Sequence, residues 1–441
     1  MAVITMTSTM SPKLLEVMER AKRDPQARLR GLARLIDEAA LTRAFDALRR
    51  NAAVGVDGIA KEEYAQDLEN NIRGLYERLK AGRYRHQPIR RVHIPKDKDK
   101  TRPLGISSTE DKIVQQALRE VLEGIYEQDF LDCSYGYRPK RGAHDALGII
   151  DRVAMRGTVN WVLEADVQSF FDSLDRTKLM EMLRLRVDDE SFMRLVGKCL
   201  HTGVLDGSEY SEPHSGVAQG SILSPLLGNV YLHHVLDQWF ERDVLPRLRG
   251  KACLVRYCDD FVISFEREDD AKRVMAVLGL RFGRYGLTLH AEKTCLLPFR
   301  RPVKGTRKRK GLATFDFLGF TLHWRRSRNG GWVLGYKTRK ARLHRAIVSI
   351  TEWCRRHRHQ SVKEQHVALT RRIQGHFNYF GVNGNLESLR KVRLAAARAW
   401  FKWLRRRSQR TRLNWQRFND LLKSFPLPAL RICVQIWAAT P

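Results

Sequence analysis

The sequence predicts an α+β protein, with strands and long helices mixed along the chain. Three observations carry that expectation. Two short apolar runs, WVLEAD (161–166) and ACLVRYCDDFVISF (252–265), read as buried strands; helical periods precede the first; and the chain past about Lys340 is helical. With 441 residues, 43% of them hydrophobic, it is long enough for several compact domains.

Taken in order, residues 13–50 read as helical, with Leu29, Leu32, Leu35, Ile36 and Phe45 spaced for one buried face. NAAVGVDG (51–58) is a turn, and 61–82 resumes a helical period. RRVHIPKDKDKTRPLGI (90–106) alternates apolar and basic residues around a polar DKDK tip, a hairpin pattern. A helix over 111–127 carries the stripe Ile113, Val114, Ala117, Leu118, Val121 and Leu122. After the two buried strands, a basic loop (303–311) precedes FDFLGFTLHW (315–324), which reads as a strand. In 387–407, Leu389, Val392, Ala396, Trp400 and Trp403 recur at helical steps among arginines.

Charge narrows the choice of partner. The formal net charge is +31, and residues 301–441 hold 33 Lys and Arg against five Asp and Glu, so this last third supplies +28 of it. Such asymmetry points to a phosphate backbone, with salt-dependent binding. No apolar run reaches membrane-spanning length and the N-terminus lacks a signal-peptide pattern, so the expectation is a cytoplasmic protein with no membrane partner. The seven cysteines contain no CxxC pair, which favours reduced thiols over a disulfide framework or zinc module.

The chemistry centres on Asp259 and Asp260. Adjacent acids inside an apolar run leave two charges in a core-like setting unless a cation sits between them. A hard divalent ion such as Mg²⁺ takes oxygen ligands of this kind. A third acid, Asp166, ends the other apolar strand; if the two strands are neighbours, three carboxylates can converge on two ions. By itself the pair also fits a plain hairpin tip, because Asp is common in turns.

The surrounding words resolve that ambiguity. RYCDDFVI resembles the YxDD box of reverse transcriptases, and GVAQGSILSPLLGNVYLHHVLD (216–237) resembles their QGxxxSP segment, with Gln219, Gly220, Ser224 and Pro225 matching. IPKDKDKTRPLGI, DCSYGYRPKRGAHDAL and EADVQSFFDSLD upstream, then GLTLHAEKT and FDFLGFTLHW downstream, are similar to successive blocks of group II intron reverse transcriptase/maturase proteins, in family order from about Val54 to beyond Trp324.

The resemblance implies a right-hand polymerase followed by an α-helical thumb/maturase domain: an N-terminal extension over 1–50, fingers and palm over 51–325, thumb over 326–441, and no C-terminal endonuclease module. It implies that Asp166, Asp259 and Asp260 bind two Mg²⁺ ions, with the Val167 carbonyl a further ligand. Lys96 and Arg102 would fold over the triphosphate of the incoming dNTP, although exposed hairpin tips often carry such charges anyway. Phe171 would be the aromatic gate against a ribose 2′ hydroxyl, and Gln219 would pack near the nucleotide sugar. Lys293 and the FLGF strand would support the primer end. Cys258 departs from the family, which usually has alanine there; a small, hydrophobe-like side chain keeps the box intact.

The C-terminal segments RRIQGHFNYFGVNGNLESLRKV and FNDLLKSFPLPALRI resemble the same family's thumb or maturase region. Lys337, Arg339, Lys340, Arg342, Arg371 and Arg372 would grip a template–primer duplex and structured intron RNA, chiefly through phosphates. The implied function is RNA-directed DNA synthesis, with maturase binding of the group II intron RNA for splicing and retrohoming into target DNA. Two other readings share the motifs: a domesticated relative in defence or repair, and a non-catalytic RNA-binding splicing factor.

Overall fold

The two apolar runs become neighbours in one sheet. In the computed structural model, which describes residues 11–97, 100–213, 215–303, 311–327, 329–408 and 412–438, the strands in chain order are β1 (Ile89–Asp97), β2 (Lys100–Ile106), β3 (Trp161–Ala165), β4 (Val204–Asp206), β5 (Glu209–Ser211), β6 (Ala252–Tyr257), β7 (Asp260–Phe265), β8 (Cys295–Pro298), β9 (Thr314–Phe317), β10 (Phe320–Arg326) and β11 (Trp332–Thr338). They form sheets ordered β2-β1-β4-β5, β6-β7-β3-β8 and β11-β10-β9. Mixed with helices before, between and after, they make the α+β fold the sequence predicts.

The central sheet, β6-β7-β3-β8, is antiparallel throughout, with Leu163 opposite Ile263 and Ala165 opposite Phe261. Both of its faces are covered. Leu163, Ala165, Phe261, Ile263 and Phe265 point into one core with the helices, while Val162, Val255 and Val262 meet Phe315, Phe317 and Phe320 of the β9–β11 sheet. Double coverage explains why these strands read as continuous apolar runs without polar alternation. Burying each of the larger side chains, the valines, Leu163, Ile263 and the phenylalanines, contributes roughly 1.5–3 kcal/mol. On the helical side, Thr109–Tyr126 presents the predicted stripe, every member of it buried.

Three expectations change in detail. Residues 13–50 are not one helix: Pro12–Arg23 and Glu38–Ala47 are separated by a short 3₁₀ turn, Leu32–Leu35, entered through Gly31 at φ 70°. The first helix ends just before Pro25, which cannot donate to a continuing helix. FDFLGFTLHW is a hairpin, not a single strand, because Leu318 and Gly319 both take positive φ (51° and 79°) and reverse the chain between β9 and β10. β11 then pairs with β10 from Phe320–Thr338 to Arg326–Trp332, so the expected boundary between 325 and 326 falls inside a sheet. The 90–106 hairpin forms as β1 and β2, its tip at 98–99 outside the described residues, as is 304–310 of the basic loop.

Beyond β11, the helices Lys340–Arg356, Val362–Phe380, Leu386–Arg405 and Trp415–Ser424 enclose a separate core. Leu389, Val392, Ala396 and Trp400 are buried there as predicted, whereas Trp403 is half-buried. Ser361 and Glu364 form a capping box at the second helix, and Gln365 accepts from the Trp400 indole at 2.9 Å. Among the described residues no helix is long and apolar enough to cross a membrane.

Candidate active site

Asp259 and Asp260 sit where β6 turns into β7. Tyr257 pairs with Asp260, leaving Cys258 and Asp259 as the turn, and Cys258 takes φ 59°, a left-handed conformation that costs a residue with a Cβ about 1–2 kcal/mol. Packing beneath the turn holds it there. Gly136 approaches so closely that a Cβ on it would lie 2.5 Å from the Cys258 nitrogen. Arg256, fully buried, donates to both carboxylate oxygens of Asp237 (2.7 and 2.5 Å), to Asn229 (2.9 Å), to Ser134 (2.8 Å) and to the carbonyl of Cys258 (3.1 Å). Asn229 in turn donates to the Gly136 carbonyl at 2.7 Å. In the sequence this platform is marked only by the acid Asp237 and the glycine of SYGYRP.

Asp166 follows β3. The β3/β7 register, with Ala165 opposite Phe261, carries the next position of β3 opposite Asp260, so strand pairing brings the three predicted carboxylates to one end of the sheet. The Asp166 carbonyl accepts from His290 at 2.8 Å, Val167 is bridged to Leu289, and the Lys293 ammonium pairs with the Asp166 carboxylate. Burial, then repulsion from Asp166, pushes Asp259 above the usual carboxylate range. Asp260 opens to solvent on one side, yet the protein around it, followed by the charges of Asp259 and Asp166, pushes its carboxyl up to about 6.

That accumulation of negative charge fits a hard cation in kind, since the donors are carboxylates and a bound ion would relieve their repulsion. Their side chains are nevertheless not gathered around one point: among the described residues no three His, Cys, Asp or Glu side chains are arranged to hold a metal ion. The expected ligating cluster of Asp166, Val167, Asp259 and Asp260 is thus present in strand placement but not in ligating geometry. The Asp166 carboxylate is instead paired with Lys293.

On the side of the β1/β2 hairpin, Arg102 is exposed and close enough that its charge favours the ionised forms of Asp259 and Asp172. Lys96 lies on β1, but its side chain is outside the described residues. Phe171 is half-buried, its ring centroid 5.1 Å from that of Phe170, and its carbonyl accepts from Val217 at 2.7 Å. Gln219 has its carbonyl bonded to the Gly105 nitrogen of β2 at 2.5 Å and its side chain half-exposed. Gly220, at φ 109°, leaves no room for a Cβ, which would meet the Gly105 carbonyl at 2.5 Å. Buried Gln115 holds the following turn, accepting from Ser221 Oγ (3.1 Å) and the Ile222 nitrogen (3.2 Å).

From the helical side, the positive charge of Arg342 reaches Asp260. Tyr379, unmarked in the sequence reading, donates to the carbonyl of Leu318 at 2.9 Å and brings the second helix of this region against the FLGF turn. Arg339 pairs with Asp316 at 2.8 Å; Lys337 and Lys340 are exposed beside it. Arg371 is exposed on the helix Val362–Phe380, and Arg372 stacks its guanidinium 4.6 Å over the Trp353 ring. The predicted basic residues are therefore spread over several elements, with Arg342 brought near the carboxylates.

Residues 94–322 match the family model for reverse transcriptase (RNA-dependent DNA polymerase). Protein YkfC of Escherichia coli (strain K12) is 33% identical over 373 residues, covering 76% of this chain and 94% of that protein. Group II intron-encoded protein LtrA of Lactococcus lactis subsp. cremoris is 39% identical over 240 residues, 52% of this chain and 40% of its own length. A 91 kDa protein in the cob intron of Schizosaccharomyces pombe is 36% identical over 198 residues, 45% of this chain and 24% of its own length. The last two relatives are matched over less than half their length. With the family model spanning more than half the chain and the first relative matched almost end to end, this protein belongs to the group II intron reverse transcriptase/maturase family and is an RNA-directed DNA polymerase.

Proposed function

We propose that this chain is a right-hand polymerase that copies RNA into DNA at the cleft bounded by Asp166, Asp259 and Asp260, and that its basic helical region binds intron RNA so that the intron folds and splices. The observation that carries the first half is the register of the central sheet, which opposes Asp166 to the Asp259–Asp260 turn. β1 and β2 would belong to the fingers, the central sheet to the palm, and the helices from Lys340 onward to the thumb.

Mg²⁺, two ions held by the three aspartates and the Val167 carbonyl, would supply the positive charge that activates a primer 3′ hydroxyl and steadies the leaving pyrophosphate. The remaining roles fall to the chain itself. Arg102, with Lys96, would hold the triphosphate of the incoming dNTP and offset negative charge as it develops on the leaving group. Phe171 would lie under the sugar, where its ring leaves no space for a 2′ hydroxyl, and Gln219 would contact the nucleotide from the turn anchored on Gly105. Lys293 and the FLGF hairpin, braced by Tyr379, would position the primer end, while Arg256 keeps the carboxylate turn from shifting.

The maturase half rests on the +28 carried by residues 301–441 and on the intron-encoded relatives. Retrohoming would use the excised intron as template and target DNA as primer. A splicing assay on a group II intron RNA at limiting Mg²⁺ separates the halves. The wild type and Asp259→Ala/Asp260→Ala are both expected to promote splicing, and only the wild type to make DNA. If neither promotes splicing while DNA synthesis persists, the maturase half is wrong and a polymerase freed from its intron is the better account.

A further inference from the structure

Helices Lys340–Arg356 and Leu386–Arg405 end side by side, and there Arg355, Arg356, Arg358, Arg406 and Trp403 line an open cleft of about 350 Å³. None of the residues placed around the carboxylates reaches it. Arg355 is paired with Glu352 at 2.9 Å, but among the described residues no ion pair engages Arg356, Arg358 or Arg406. Arg406 and Lys402 place their charges 5.5 and 5.4 Å from the Trp403 ring centroid. The Trp403 indole N–H is buried and finds no acceptor among the described residues.

Basic residues near helix C-termini have an ordinary explanation, because they offset the partial negative charge of the last carbonyls. That effect covers one or two cations at each end. It does not account for three guanidinium groups around a single hollow with no ion pair among the described residues, nor for a buried indole N–H with no acceptor among them. The floor is also built. The Arg358 carbonyl accepts from Gln365 at 3.1 Å and from Arg407, Gln365 is itself fixed by Trp400, and Arg358 donates to the Arg355 carbonyl at 3.0 Å.

We infer that this cleft binds one unpaired nucleotide of a nucleic-acid strand, its phosphate held by Arg356, Arg358 and Arg406 and its base lying against Trp403. The volume lies at the lower end of small-molecule sites, and aromatic and guanidinium planes are the surfaces on which splayed bases stack. A duplex keeps its bases paired inside, so none of its nucleotides can turn out of the helix to seat base and phosphate together in the cleft. The inference rests on the reading that the helical region binds RNA, and it gives that region a contact at a bulge, loop or strand end. The shared chemistry leaves the strand as RNA or DNA.

The test measures binding of the full-length protein to a 20-nucleotide oligouridine, an oligothymidine of the same length and a 20-base-pair RNA duplex. Arg356→Gln/Arg406→Gln is expected to weaken oligouridine binding at least fivefold and to lower its salt slope by about 0.7, the share of one single-strand phosphate contact. Duplex binding should change less than twofold. Trp403→Phe, which keeps the ring and removes the N–H, should cost two- to threefold on the single strand. Tighter binding of oligouridine than of oligothymidine assigns the strand as RNA, and the reverse assigns it as DNA. Equal losses on single strand and duplex, or no loss on either, would overturn the inference. If the wild type itself bound no RNA, the reading of the helical region would fail instead.

Discussion

The guanidinium of Arg256 donates to the carbonyl of Cys258 at 3.1 Å, so the strained turn that carries Asp259 is tied directly to a fully buried ion pair with Asp237. Removing one partner of such a pair leaves an unpaired buried charge. Arg256→Met should therefore cost about 3–5 kcal/mol of stability. Arg256→Met/Asp237→Leu should recover most of that loss in denaturant unfolding, yet remain far below wild type in DNA synthesis, because nothing then anchors Cys258. Recovery of both stability and synthesis in the double variant would remove the positioning role.

His233 is buried against Phe130, and burial is the first cause of a pKa lowered to about 3; the charges of His234 and Arg256 follow. A histidine held neutral in the fold contributes stability that is fully present above its unfolded pKa near 6.5 and is lost as pH falls toward the folded value. Acid unfolding should thus begin below about pH 6.5, with this one residue adding up to about 1.4 kcal/mol per pH unit. Comparing chemical denaturation of His233→Phe and wild type at pH 7 and pH 5 checks it: the variant should show the shallower loss.

Phe171 bears on sugar choice. Phe171→Ala opens space beside Gly228, and discrimination against ribonucleotides should fall by about 10–100-fold, seen as the ratio of kcat/KM for a dNTP and its ribonucleotide. An unchanged ratio would return Phe171 to a plain packing role.

Lys293 forms an ion pair with the Asp166 carboxylate. Lys293→Met should then free the carboxylate and tighten Mn²⁺ binding to the protein without nucleic acid by about fivefold, roughly 1 kcal/mol. Electron paramagnetic resonance of free Mn²⁺ reads this without any activity assay. Weaker binding would mean that Lys293 shapes the ion site instead of competing for it.

What the sequence revealed and what it hid follow from the range of each signal. The carboxylates stand out as charges inside apolar runs, but only the neighbouring motifs separate them from a plain hairpin tip, whereas the helix Thr109–Tyr126 is legible because its stripe repeats locally. Arg256–Asp237 and Lys293–Asp166 join residues 19 and 127 positions apart, and no local period marks such pairs. FDFLGFTLHW hid its turn because Leu318, an apolar residue, occupies a conformation usually signalled by glycine or asparagine. The last third announced a polyanion through composition alone, which says nothing about where individual arginines meet.

The most direct measurement is deoxynucleotide incorporation on an RNA template annealed to a DNA primer, with Mg²⁺, comparing the wild type with Asp259→Ala/Asp260→Ala at matched template binding. Incorporation by the wild type that falls by about a thousandfold or more in the double variant, with binding retained, is the predicted result. Incorporation that survives the loss of both carboxylates would contradict the assignment of the active site to this turn.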